Sequence, residues 1–405
     1  MLHRLRRPSL LLAVLLLALP AGARVPHRPD ALGPYAVGHD SFEAYDAARN
    51  RTLPVHVWYP VAPGRAQGPP TVYSILFLGL ESEVAIEDAP IARRGFFPLV
   101  VFSHGNGGIA IQSYFLTEAL ASHGFVVVAP DHVGDTFLDA FLGNLDAEAL
   151  LQSAQDRPRD VSFLIDWMLA RNLDRNDRFR HALNPFAIGV TGHSFGGFTA
   201  LAVAAGFDGD AADDFGVEVP EGFEPYPADP RVRAIVPIAP ASTPLSDREL
   251  ERIRVPTLLV GGTLDETTPL VPEITRPYEI LRTRELYRAD LVGAAHFSFT
   301  NVCDVIELVA EAGFPPDLVT DTLGGAYEEG CAPDLMPVAE AHRLTNLVTV
   351  SFLRRFLAGD LRYQRYLVPG RLWAREPDLD LFRRPPRVPW WPWMRSSHRA
   401  GPRRW

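Results

Sequence analysis

Lysine is missing from this chain altogether: all 39 basic side chains are arginine, set against 49 carboxylates and giving a formal net charge of -10 over 405 residues. That balance argues against a partner whose recognition rests on neutralising phosphates, so nucleic acid is not expected. Cysteine is almost missing too, with only Cys303 and Cys331. Two thiols are too few for a structural zinc site. Apolar runs long enough to cross a bilayer are also lacking, since Leu10 to Leu19 is about half of the roughly 20 residues a spanning helix needs. Charge at 22% and hydrophobic content at 47% leave no case for a globally disordered chain.

What is present at the N-terminus is a targeting pattern. Arg4, Arg6 and Arg7 precede the apolar run, and Pro20 with Ala21-Gly22-Ala23 follows it. The pattern predicts a signal peptide over residues 1–23, cleaved after Ala23, and a secreted or periplasmic protein. Pro8-Ser9-Leu10 after the Arg6-Arg7 pair match a twin-arginine signal poorly, and no cysteine near the cleavage site supports a lipid anchor. Export makes a Cys303–Cys331 disulfide the expected state, with two buried free thiols as the alternative. Closing a loop of about 28 residues would stabilise the fold by roughly 3.5 kcal/mol on chain-entropy grounds.

The mature chain alternates two kinds of segment. Val55 to Pro60 reads as a half-buried strand, followed by a turn-rich Pro/Gly stretch to Pro70. Leu99–Phe102, Phe125–Ala129, Phe186–Val190, Ala234–Ile238 and Thr257–Val260 are short, continuous apolar runs of the kind buried on both faces of a sheet. Helical spacing runs over Ser113–His123, with Gly124 as its stop, then Pro158–Ala170, Phe195–Ala205 and Ala339–Leu357. Strands alternating with helices predict an α/β fold with a mainly parallel central sheet, helices on both faces, and one domain over 24–383.

Two insertions, about 137–155 and 208–230, interrupt that alternation and are expected to form a partial cap or a solvated surface. Asp208, Asp210, Asp213 and Asp214 lack the full spacing of a calcium loop, and no metal is expected. Residues 384–405 are rich in Pro, Trp and Arg. They read as a disordered tail, with docking of Trp390, Trp391 and Trp393 on a membrane as a second reading.

The segment with most chemistry is Gly192-His193-Ser194-Phe195-Gly196, set between a strand and a helix. A serine lifted out of a sheet on a sharp turn needs small neighbours, which Gly192 and Gly196 supply, and Ser194 is the expected nucleophile. Its hydroxyl requires a base. His296, in Gly293-Ala294-Ala295-His296-Phe297 after the strand-like Leu286–Val292, lies where the Ser, acid, His order puts that base. Asp265, after Thr257–Gly262, is the expected acid, with Glu266 as its nearest competitor. The backbone N–H of Phe195 should supply one oxyanion donor and that of Asn106, in Ser103-His104-Gly105-Asn106-Gly107-Gly108, the other. As a phosphate cradle that loop lacks the Gly-Lys-Ser/Thr ending. His104, His123, His132 and His193 read as structural or pocket-lining.

Phe102-Ser103-His104-Gly105, Leu120-Ala121-Ser122-His123-Gly124-Phe125, Ala129-Pro130-Asp131-His132 and Gly192 to Gly197 together resemble the platelet-activating factor acetylhydrolase-like branch of the α/β-hydrolases. Leu259 to Asp265 is similar to the acid-bearing segment of dienelactone-hydrolase-like and cutinase-like proteins. The resemblance implies the α/β-hydrolase fold and a serine carboxylic ester hydrolase that needs no cofactor, acting on short-chain, lipid or phospholipid-type esters. In the mammalian acetylhydrolases the acid follows an earlier strand, which here ends Ile238-Ala239-Pro240-Ala241 without a carboxylate, so Asp265 takes the role. The dienelactone enzymes proper carry Cys where this chain has Ser194. The alternatives are a polyester hydrolase or lipase, an amidase or peptidase with the same machinery, and a hydrolase-fold binding protein without activity.

Overall fold

A computed structural model describes residues 26–75, 77–93, 96–209 and 223–385. The expected signal peptide and nearly all of the Trp-rich tail lie outside that range. Eleven strands among the described residues form one sheet. They are β1 (Ala36–Asp46), β2 (Arg51–Val61), β3 (Pro70–Ile75), β4 (Leu78–Glu87), β5 (Phe97–Ser103), β6 (Val126–Pro130), β7 (Leu183–His193), β8 (Val232–Ile238), β9 (Thr257–Gly262), β10 (Leu286–Leu291) and β11 (Leu379–Arg384). Their spatial order is β11-β10-β9-β8-β7-β5-β6-β2-β1-β4-β3.

The block from β6 through β10 is parallel throughout. Every residue of β5, β6 and β9 is buried, as a sheet covered on both faces requires. An antiparallel wing of β2, β1, β4 and β3 extends one side, with only β1 and β4 parallel to each other, and β11 closes the other side antiparallel to β10.

Helix α1 (Tyr114–Ser122) and α9 (Val338–Phe356) cover one face of the sheet. The other face carries α3 (Ala147–Leu173), α4 (Phe195–Ala205), α5 (Asp247–Arg252) and α6 (Thr275–Ile280). Short α2 (Phe137–Phe141) precedes α3, and α7 (Val302–Glu311) with α8 (Pro316–Glu328) forms a hairpin between β10 and α9. After β5 the chain steps to β6, and after β7 it steps the opposite way to β8. A crevice therefore opens at the carboxyl ends of β5 and β7, where an open α/β sheet binds its ligand.

The first insertion is built differently from its sequence reading. Residues 137–155 form α2 and the first turns of α3, a 27-residue helix that passes straight through Pro158 rather than beginning there. Asp146 caps its start by accepting from the Ala149 amide at 2.9 Å. An internal proline costs a helix about 3 kcal/mol, but Pro158 is itself buried on the stripe of Ala154, Val161, Leu164, Ile165 and Met168, and packing outweighs that loss. In the second insertion residues 210–222 lie outside the described residues, including Asp210, Asp213 and Asp214. Its ends are pinned by the Phe207–Tyr226 bridge, and Asp208 pairs with Arg252.

Buried histidines give this fold a defined acid sensitivity. Burial pushes His123 and His132 down to about 4, and the nearby Arg157 cation adds to the effect on His132 despite its bond to Asp160. Each stays neutral in the native state while the unfolded chain takes up protons from about pH 6.5 downward. The stability these two groups supply is therefore complete above pH 6.5 and is lost as pH falls toward 4, by roughly 2 kcal/mol for each at pH 5. Asp160 does not contribute in that window, because His132 and Arg51 outweigh its burial and hold it at about 2. Glu118 and Glu249, pushed up to about 7 by burial, run the opposite way over this window, so the check is by difference. The change in urea unfolding free energy between pH 7.5 and pH 5 should shift by roughly 2 kcal/mol in His123→Gln relative to the parent, and an unchanged difference would contradict the neutral-histidine assignment.

Candidate active site

Ser194 sits at φ 57° and ψ -118°, a strained conformation between the last residue of β7 and the first of α4. The turn is locked from both sides. Ser194 N donates to the Ile238 carbonyl at 2.9 Å, and the Ser194 carbonyl accepts from Gly197 at 2.8 Å and Ala241 at 3.1 Å. A Cβ on Gly196 would stand 1.9 Å from the Ser103 carbonyl oxygen, and one on Gly192 would stand 2.5 Å from the same atom. The glycines are thus dictated by how tightly the elbow presses on the end of β5. Gly197 is equally constrained, since its Cβ would meet Pro240 Cα at 2.7 Å.

His296 follows β10 and opens a short 3₁₀ turn, and Asp265 follows β9. Because β9 and β10 are parallel neighbours, the loops after them emerge side by side. They are held together where Leu264 N donates to the Ala294 carbonyl at 2.9 Å, and a Cβ on Gly262 would come within 2.3 Å of that oxygen. His296 Nδ1 lies 3.0 and 3.2 Å from the two Asp265 carboxylate oxygens. Both residues are buried, whereas Glu266 is exposed and makes no such contact. Asp265 is fixed in turn by the Thr268 amide at 2.6 Å and the Thr268 hydroxyl at 3.0 Å. Ser194 and His296 line one cavity together.

His193 both lines that cavity and braces it. Its Nε2 donates to the His296 carbonyl at 2.8 Å, which leaves Nδ1 to accept from Gln112 Nε2 at 2.9 Å. Gln112 Oε1 accepts from the Gly105 amide at 3.0 Å, so one neutral relay ties the His296 loop to the glycine-rich loop after β5. Burial drives the His193 basicity well below its ordinary value, keeping the ring in the neutral form the relay needs.

The glycine-rich loop comes close to Ser194: a Cβ on Gly105 would lie 3.4 Å from Ser194 Cβ. Among the described residues neither the Asn106 nor the Phe195 amide has a protein acceptor. Beneath the loop lies a buried polar cluster. Arg157 and Asp135 form a buried ion pair at 2.6 Å, His132 bonds Asp160 at 2.9 Å and Ser103 Oγ at 2.9 Å, and His104 Nε2 accepts from the His132 amide at 3.0 Å. His123 is apart from it, bonded to the Ala31 carbonyl.

Gln112, Asp135, Arg157 and Thr268 were not singled out from sequence. Only Arg157 left a readable signal, as a charge within the apolar stripe of α3.

The cavity measures about 700 Å3. Asn106, Gln112, His193, Ser194 and His296 supply its polar floor. Ile75 and Leu80 from β3 and β4, Phe137, Phe141 and Leu145 around α2, Val302 and Val305 from α7, and Leu323 and Ala326 from α8 supply apolar walls. The α7–α8 hairpin is stapled by the Cys303–Cys331 disulfide, whose cysteines are 28 residues apart. Its base is fixed to α1, where the Asn301 carboxamide accepts from Phe115 N at 3.0 Å and Tyr114 OH donates to Asp304.

A parallel sheet with a serine elbow after β7, and with acid and imidazole loops after β9 and β10, has the architecture of the α/β-hydrolases, and the chain belongs to that superfamily of serine esterases. A family profile described as Chlorophyllase matches residues 86–217. Cutinase est1 of Thermobifida alba is 24% identical over 286 residues, covering 70% of this chain and 69% of that protein. Cutinase 2 of Thermobifida cellulosilytica is 23% identical over 273 residues, 67% of this chain and 72% of its own. Platelet-activating factor acetylhydrolase of Cavia porcellus is 26% identical over 222 residues, 43% of this chain and 51% of that protein. Together they make the chain a serine ester hydrolase.

Proposed function

We propose that Ser194, His296 and Asp265 hydrolyse carboxylic esters carrying a medium-length apolar chain, through an acyl-Ser194 intermediate. His296 Nε2 takes the Ser194 proton as Oγ attacks the ester carbonyl carbon. The electron pair displaced onto the carbonyl oxygen is met by the amides of Phe195 and Asn106 and by the N-terminal end of α4. Collapse expels the alcohol, which leaves with the proton from His296. Water then gives a proton to His296 and its oxygen to the acyl carbon, and the second collapse frees the acid and restores the Ser194 hydroxyl. The bond between His296 Nδ1 and Asp265 carries this reading, because it leaves Nε2 unprotonated to act as base.

The apolar walls support the substrate class. A cavity of about 700 Å3 far exceeds an acetyl group, and each methylene transferred from water to such walls is worth about 0.8 kcal/mol. With p-nitrophenyl esters, kcat/KM should rise from acetate to hexanoate by roughly 10- to 100-fold. Val305→Trp, which fills the wall contributed by α7, should remove most of that gain and leave acetate hydrolysis within threefold. Acetate as the best substrate would overturn the chain-length reading. The cutinase relatives favour a polyester as a second reading, tested by product release from an insoluble film in the same assay. Export through cleavage after Ala23 is also part of the proposal, and the disulfide supports an oxidising compartment.

A further inference from the structure

Arg157 is a fully buried cation in the middle of α3, yet its guanidinium is directed at the loop after β5 rather than at other helices. Its Nε donates to Asp135 Oδ2 at 2.8 Å, its Nη1 to the His104 carbonyl, and its Nη2 to the Gly105 carbonyl at 2.9 Å and to Asp135. A longer contact of 3.4 Å reaches Ser103 Oγ. The guanidinium carbon also lies 4.9 Å from the centre of the Phe195 ring. Asp135 completes the grip with its other carboxylate oxygen. Its Oδ1 accepts from Gly107 N and from the Asn106 side-chain Nδ2, each at 2.7 Å.

The consequence is geometric. The carbonyls of residues 104 and 105 are drawn toward Arg157, while the amide of residue 107 and the side chain of residue 106 are drawn toward Asp135. Between those fixed points the Asn106 peptide has little freedom to rotate. The same cation rests against the side chain of Phe195, whose amide is the other donor. Buried ion pairs are seldom the most stabilising way to fill a core, so bonds concentrated on one functional loop call for an account beyond stability.

We propose that the Arg157–Asp135 pair is a positioning element that aligns both oxyanion donors, the amides of Asn106 and Phe195, through one buried brace. The proposal rests on the Ser194 mechanism given above. A donor held in advance costs no reorganisation when charge develops, and displacing one by about 1 Å is enough to lose on the order of 100-fold in rate.

Asp135→Asn keeps the shape but exchanges one acceptor for a donor, and Asn106→Ala removes one strand of the brace from an exposed position without leaving a buried charge. The second variant keeps the test alive should the first fail to fold. The expected result is a kcat lowered 10- to 100-fold in Asp135→Asn and about tenfold in Asn106→Ala, with KM within threefold. A boronic acid, whose serine adduct is tetrahedral, should lose affinity in proportion to kcat, while a non-hydrolysable ether analogue of the substrate binds as before.

Folded variants with kcat and boronate affinity within threefold of the parent overturn the proposal. So does equal loss of boronate and ether binding, which marks a merely structural role. Ser194→Ala run alongside separates the two levels: hydrolysis surviving in that variant removes the mechanism itself, whereas its loss beside unaffected brace variants removes only the brace.

Discussion

Ser194→Ala should lower kcat for p-nitrophenyl hexanoate by roughly 10^4- to 10^6-fold while leaving KM within a few-fold. The size of the loss follows from what the elbow does. Strain at φ 57° is maintained by backbone bonds to Ile238, Gly197 and Ala241 and by glycines that tolerate no Cβ, so the hydroxyl is presented without help from its own side-chain contacts. Alanine therefore leaves the turn, the cavity and the Phe195 and Asn106 amides in place and deletes only the proposed nucleophile. Residual rate should come from donors that still polarise the ester toward direct attack by water. A fluorophosphonate should label the parent protein once and the variant not at all, by intact mass. Unchanged turnover in the variant would end the acyl-serine mechanism and reopen the hydrolase-fold binding protein as a reading.

Sequence patterns exposed the parts of the fold that are buried on both faces. Leu99–Phe102 and Thr257–Val260 are apolar without interruption because they lie in the middle of the parallel block, and their shortness and β-branched content set them apart from a buried helix. The wing was harder. In β4 exposed and buried positions mix irregularly, since one side of the strand faces solvent near the sheet edge, and its polar content hid it. In α7 none of the residues is fully buried, because the hairpin closes a cavity and touches the core through the partly buried Val305 and Leu308, so its strongly amphipathic sequence carried little core signal. Pro158 misled for a physical reason: proline is favoured at the first turn of a helix, and only tertiary burial revealed that this one sits in the interior.

The candidate site divides along a similar line. Ser194 was readable because a strained turn imposes glycines at fixed offsets, and His296 and Asp265 because parallel strand ends converge on one edge of the sheet. Their supports were not. Gln112 reaches His193 across 81 residues of sequence, and Asp135 meets Arg157 from the end of a different element. Such contacts depend on where α1 and α3 cross the sheet, which no local spacing encodes. A polar residue whose partner is chosen by tertiary geometry becomes visible only when the fold is built, and in this chain those residues hold the glycine-rich loop beside Ser194.

Asp265→Asn should cost roughly 10^3- to 10^4-fold in kcat, and it should be the worse variant when compared with Asp265→Ala. One carboxylate oxygen accepts from the Thr268 amide at 2.6 Å, and the other faces His296 Nδ1 at 3.0 Å. An asparagine must keep its carbonyl oxygen toward the Thr268 amide, because an NH2 group there would meet another donor. Its NH2 is then aimed at His296 Nδ1 and holds the ring as the tautomer protonated on Nε2, the nitrogen that must accept the Ser194 proton. Alanine imposes no such tautomer. The Thr268 hydroxyl, 3.1 Å from Nδ1 and able to send its own proton to the Ala239 carbonyl at 2.9 Å, remains free to accept from Nδ1–H and to keep part of the ring in the active form. Steady-state kinetics of both variants at pH 8, with matched circular dichroism, check the order. Asparagine as active as the parent, or clearly more active than alanine, would remove Asp265 from its place as the partner that sets the His296 tautomer.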